Sequence, residues 1–109
     1  MPYLITFTKW PSDKSLEVIK KAIESNKKFG EDESLGEDLL PGNAIKSTKE
    51  GAKTITVLKV SKGKLEEAYF RAQEVGNFFA MAVAGFEYEI EVWSTVDEAY
   101  SSIGQKPPE

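Results

Sequence analysis

The chain contains no histidine and no cysteine, and its only arginine is Arg71. Each absence closes off chemistry. Without cysteine there is no disulfide framework, no thiolate nucleophile, no iron–sulfur ligation and no cysteine-containing zinc site. Without histidine there is no imidazole general base, no serine or cysteine triad of the usual kind and no axial histidine for haem. A single arginine leaves little capacity for bidentate recognition of phosphate or guanine. No glycine-rich phosphate cradle or dinucleotide fingerprint occurs, and no segment has the ligand spacing of a calcium loop. No stretch approaches the roughly 20 apolar residues of a membrane span. Met1–Trp10 lacks the basic start and small-residue cleavage site of a signal peptide.

What remains is ordinary globular composition. The 109 residues are 40% hydrophobic and 29% charged, with a net charge of −4. That length suits one domain, expected to span 1–109, with the proline-rich Gln105–Glu109 as a frayed tail. The acidic balance argues against a nucleic-acid partner, whose affinity depends on clustered Lys and Arg. A soluble, cytoplasmic protein without metal or cofactor is the expectation.

Tyr3–Trp10 is rich in aromatic and β-branched residues and predicts a strand, halted by Pro11. Leu16, Ile19, Ala22, Ile23 and Asn26 then recur at helical spacing as the expected inward stripe, and the helix ends near Phe29 and Gly30. Gly30–Gly42 carries five acidic residues without periodicity and reads as a solvated loop, or a lid over a pocket. Asn43–Lys49 and Ala52–Val60 flank a Glu50-Gly51 turn and predict a hairpin. A second helix has the stripe Leu65, Ala68, Tyr69, Ala72, Val75, Gly76, Phe79 and Val83. Phe86–Trp93 alternates strictly, and Thr95–Ile103 predicts a short last helix with Thr95 and Glu98 at capping-box spacing. The order is β-α-β-β-α-β, a ferredoxin-like α+β arrangement with one antiparallel sheet beneath two helices and a short C-terminal helix.

In layout and hydrophobic pattern the chain resembles the dimeric α+β barrel superfamily, which includes stress-responsive A/B-barrel proteins and antibiotic-biosynthesis-type monooxygenases. The similarity is greatest to small stand-alone members of unknown function. It rests on Tyr3–Trp10 running into Pro11 and a helix, the hairpin Ala44–Val60, and the closing run FEYEIEVWSTVDEAY. The resemblance implies a homodimer whose sheets face each other around a barrel. Active members usually employ a histidine there, and this chain has none.

Parity along the strands places Ile5, Phe7, Ile55, Val57, Tyr88, Ile90 and Val92 toward the helices. The other face then carries Leu4, Thr6, Thr8, Trp10, Thr54, Thr56, Leu58, Glu87, Glu89, Glu91 and Trp93. In an isolated chain that face is a solvated sheet surface. In a barrel dimer, Thr6, Thr8, Trp10, Thr54, Thr56, Glu89 and Trp93 line a pocket for a small-molecule ligand. Glu87, Glu89 and Glu91 project to one side at about 6.5–7 Å intervals, as a charged face with Lys46 or its mate in another subunit as counter-ion, as weak candidates for a general acid or base, or as a pair of oxygen ligands for a hard cation. Opposite the core stripe of the second helix, Phe70, Phe78 and Met81 form a candidate contact with a subunit, a partner or the chain's own C-terminal segment.

Three functions follow: a non-catalytic or small-ligand-binding homodimer, a cofactor-independent monooxygenase or isomerase acting on a small apolar or aromatic compound, and a protein-interaction module built on the second helix. The enzyme reading uses Glu89 or a neighbour as base with Trp10 and Trp93 as packing surfaces. The missing histidine and cysteine argue against it.

Overall fold

The computed structural model describes residues 1–40 and 43–108. Its β1 is Tyr3–Trp10, where threonine, isoleucine and aromatic side chains suit a pleated, half-buried surface. Pro11 ends that strand, a single 3-10 turn follows over Ser12–Lys14, and α1 runs Ser15–Phe29. The Trp10 indole donates to the Ser15 hydroxyl at 3.0 Å, tying the end of the strand to the start of the helix. After α1 come a 3-10 turn at Glu33–Leu35, the short β2 (Gly36–Asp38), β3 (Ala44–Thr48) and β4 (Gly51–Val60). Then α2 (Leu65–Ala82), β5 (Glu87–Trp93) and α3 (Val96–Ser101) complete the chain.

Among the described residues the result is a mixed α+β fold with three helices and a five-stranded, open antiparallel sheet ordered β2-β4-β1-β5, with β3 also paired to β4. β2 and β3 lie end to end on one edge. β2 pairs with Leu58–Val60, while β3 pairs with Gly51–Ile55.

β2 corrects the aperiodic loop expected over Gly30–Gly42. Leu35 is buried in the core, and the segment after it takes up the free edge of β4. Gly36 permits this approach, because a β-carbon there would collide with the Lys59 carbonyl oxygen. Residues 41–42 of that expected loop, and Glu109 of the expected tail, lie outside the described residues.

The register fixes the faces. Thr6 pairs with Thr56 and with Ile90, and Thr8 pairs with Thr54 and with Tyr88. Ile5 pairs with Val57 and Glu91, and Phe7 with Ile55 and Glu89. Directly opposed residues share a face, so the Glu87–Glu89–Glu91 ladder sits with Ile5, Phe7, Ile55 and Val57.

The helices cover the other side. One buried cluster joins Leu4, Val60 and Ala68, with Leu58, Leu65, Ala72 and Ile90 packed against it. A second joins Trp10, Val18, Ala52, Val83 and Phe86, with Phe79 and Tyr88 against it. The sequence-based assignment of β1 and β4 is therefore inverted: Thr6, Thr8, Thr54, Thr56 and Trp10 face the helices, and Ile5, Phe7, Ile55 and Val57 face outward. Alternation gives the period of a strand but not which phase lies inward, and here threonines take the covered side.

The two helices differ in how they use their apolar residues. α2 packs Leu65, Ala68, Ala72, Gly76 and Phe79 inward as expected, and Gly76 lets the helix backbone rest on the Tyr88 ring. α1 is turned from its expected orientation. Leu16, Ile19 and Ile23 are 73%, 57% and 55% exposed, while Val18 and Ser25 are buried. The inward row is Val18, Ala22, Ser25 and Phe29, which satisfies helical spacing as well as the expected row does. An aromatic seam joins α1 to α2, with Phe29 edge-on to Phe78 at 5.8 Å and Phe78 edge-on to Phe79 at 6.0 Å. α3 begins with the expected capping box: Thr95 accepts from the Glu98 amide, and Glu98 accepts from the Thr95 amide.

Candidate functional site

Thr6, Thr8, Thr54 and Thr56 form two cross-strand pairs in the middle of the covered face. Helices that pack against threonine cannot close on it as tightly as on leucine, because each hydroxyl needs a partner or water. The space is correspondingly open. Between β1 and β4 below and the two helices above lies a cavity of about 930 Å³. Its floor is Leu4, Thr6, Thr8, Trp10, Thr54, Thr56 and Leu58. Val18, Ala22, Ser25 and Phe29 of α1, with Ala68, Ala72, Val75, Gly76 and Phe79 of α2, form its walls. Glu31, Asp32, Glu33, Glu37 and Asp38 contribute from the segment after α1.

The polar groups of the floor are organised. The Thr8 and Thr54 hydroxyls are hydrogen-bonded to each other across the sheet, and Thr54 is buried. Thr56 donates to the Asn43 side-chain oxygen at 3.0 Å. Trp10 stacks on Phe86 with centroids 5.9 Å apart, and Phe86 stacks on Phe79 at 5.2 Å. This aromatic stack makes one end of the cavity stiff, while the hydroxyl row gives it directional contacts. At the other end Asp32 is held below its ordinary carboxyl value, first by the hydrogen bond from the Ser34 hydroxyl, then by the Ser34 amide, with Arg71 and Lys64 adding smaller attraction.

Five of the seven residues expected to bind a ligand therefore line one cavity: Thr6, Thr8, Trp10, Thr54 and Thr56. The sheet separates Glu89 and Trp93 from them. Both are exposed on the opposite face, where the Trp93 indole donates to Glu91 at 2.7 Å. Within one chain Glu89 cannot serve as a base beside Trp10, since they project from opposite sides of the sheet. Nor is Lys46 the neighbour of the glutamate ladder: β3 lies at the far edge, and Lys9 is the residue paired with Glu87. Among the described residues no group of three or more Asp or Glu is arranged to hold a metal ion. No helix among them is long and apolar enough to cross a membrane.

The outer residues of α2 also divide. Phe70 and Met81 are exposed, at 63% and 86%, whereas Phe78 is covered by α1. Lys21 and Lys28 stand over the Phe78 ring at 5.8 and 5.3 Å, so the chain itself supplies that contact. Phe70 borders a shallow depression of about 450 Å³ with Glu66, Glu67, Arg71 and Glu74.

Sequence reasoning missed the α1 contribution of Val18 and Ser25. A signal was present, because Val18, Ala22, Ser25 and Phe29 are spaced by four, three and four. Ser25 breaks the apolar pattern and hides the row. No family model, curated protein or solved structure matches the chain.

Proposed function

We propose that this chain is a non-catalytic, small-ligand-binding protein of the cytoplasm, and that the cavity between sheet and helices is where it binds. The observation carrying this reading is the cavity of about 930 Å³ with a threonine floor and an aromatic end. That volume lies in the upper part of the roughly 300–1,000 Å³ range of small-molecule sites. Apolar walls supply affinity in proportion to buried area, and a few hydroxyls orient the ligand. Carboxylates, hydroxyls and indoles are the chemistry available around it.

The test is calorimetric titration with N-phenyl-1-naphthylamine, a neutral apolar probe. Saturable binding is expected, and Ala72→Phe, which fills the cavity from α2, abolishes it while the circular dichroism spectrum is retained. Thr54→Val serves as a second variant. Absence of saturable binding by the wild-type chain would overturn the reading.

The open face supports a homodimer of the ferredoxin-like, dimeric α+β barrel type. The strand order β2-β4-β1-β5 fits that topology if β2 and β3 are taken as one interrupted edge strand. Ile5, Phe7, Ile55 and Val57 make an apolar centre, with Glu87, Glu89 and Glu91 along β5 and Lys9, Lys53 and Lys46 in a row that runs from beside Glu87 to a basic corner at the β3 edge. A two-fold related copy lays the basic corner of one chain over the acidic edge of the other. Light scattering at micromolar concentration is expected to give twice the chain mass, and Phe7→Glu to give the monomer. A wild-type monomer would exclude this assembly.

A further inference from the structure

Given the binding reading above, the hydroxyls lining the cavity decide what a ligand must offer in place of water. Thr56 donates to the Asn43 side-chain oxygen at 3.0 Å and is satisfied. Thr8 and Thr54 are bonded to each other, and such a pair uses one of its two protons and leaves the second for a further acceptor. Ser25 on α1 is only 6% exposed. Neither its hydroxyl nor that of Thr6 has a hydrogen-bond partner among the described residues, where no sealed side-chain polar atom goes unpartnered, so water reaches both from the cavity they line.

These hydroxyls share one level of the cavity. α1 turns back over the sheet from Trp10, which packs with Val18. From Val18 to Ser25 the helix advances about 10 Å, and from Trp10 to Thr6 the strand covers about 13 Å. Ser25 therefore stands above the threonine rows, not above the aromatic end. Charge is scarce at this level. Among the described residues the floor and the two helices contribute one charged side chain, Arg71, already bound to the Phe29 carbonyl at 3.1 Å and 3.5 Å from Glu74. An ion placed there gives up its hydration without a free counter-charge, a cost that a neutral oxygen avoids.

A ligand that fills the cavity takes water from these hydroxyls, and a purely apolar one returns nothing for it. We infer that the cavity takes a neutral, compact ligand carrying an oxygen acceptor such as a ketone. Its ring system lies on the apolar walls, and its oxygen lies between Ser25 above and Thr6 and the Thr8–Thr54 pair below. Burial of the body gives affinity. The spare O–H donors give selection for the oxygenated compound over its hydrocarbon, which makes Ser25 and Thr6 the residues that set specificity.

The experiment is displacement of N-phenyl-1-naphthylamine by 1-tetralone, tetralin and tetralin-2-carboxylate, which share a bicyclic body. From wild type the ketone is expected to displace the probe at a concentration no higher than the hydrocarbon, although water solvates the ketone better, and the carboxylate to need the highest concentration. In the double variant Thr6→Val, Ser25→Ala, whose new residues suit a strand and a helix, the ratio of ketone to hydrocarbon is expected to move about ten-fold against the ketone, equivalent to ~1.4 kcal/mol. Tetralin displacing at a lower concentration than the ketone, or an unchanged ratio in the variant, would overturn the hydroxyl assignment and leave the cavity reading intact. A carboxylate as effective as the ketone would overturn the choice of a neutral ligand. Failure of the probe to bind would overturn the cavity reading and this inference together.

Discussion

Gly76 and Tyr88 show how a single residue decides the spacing between layers. A β-carbon on Gly76 would stand 2.7 Å from the Tyr88 ring, whose hydroxyl is fixed by a 2.6 Å bond to Asn77. Gly76→Ala gains about 1 kcal/mol of helix propensity but forces α2 off the ring, which costs about 1–3 kcal/mol. A net loss is expected as a lower urea midpoint with an unchanged slope; a raised midpoint would mean the helix has room to move. Helical spacing puts Gly76 on the inner stripe of α2 but not against Tyr88, because alternation along β5 carries no cross-strand register. Once Thr8 is opposite Tyr88, Gly76 has its reason.

Elements were legible where one pattern dominated. α2, β5 and the Thr95–Glu98 box follow directly from spacing. α1 was legible as a helix but not in its rotation, since Leu16–Ile19–Ile23 and Val18–Ala22–Ser25–Phe29 both satisfy the helical period. Its observed rotation makes a direct expectation. Ile19→Lys changes stability by less than about 0.5 kcal/mol, as for other exposed positions. Val18→Ala, which empties a buried site beside Trp10 and Phe86, costs about 1–3 kcal/mol. Chemical denaturation of the two variants checks the rotation, and the reverse ranking would refute it.

The α3 cap adds a pH dependence. Glu98 is held below its ordinary value of 4.5, chiefly by the hydrogen bond from the Thr95 amide, then by that from the N-terminal ammonium. A carboxyl depressed in the folded state contributes stability that is complete above its unfolded pKa and is lost as pH falls through the folded one. Glu98→Ala is therefore expected to be less stable than wild type at neutral pH and to converge with it in acid, read as urea midpoints across that range. A constant difference at every pH would assign the effect to packing instead.

At the scale of the whole molecule, the sheet divides two kinds of surface that parity alone had merged. The covered face holds threonines and a cavity; the open face holds glutamates, lysines and an apolar centre. Alternation puts the β5 glutamates on the open side but cannot choose the phase of β1 and β4, because threonine suits an inner or an outer strand position and only the helices above decide. The division leaves one tryptophan on each side. Trp10 is buried at the cavity floor, and Trp93 is 53% exposed on the open face. Fluorescence of Trp93→Phe and Trp10→Phe, each retaining one indole, therefore locates the bound ligand. Titration with N-phenyl-1-naphthylamine is expected to quench Trp10 saturably by energy transfer and to affect Trp93 much less. Stronger quenching of Trp93 than of Trp10 would place binding on the open sheet face and contradict the cavity between sheet and helices.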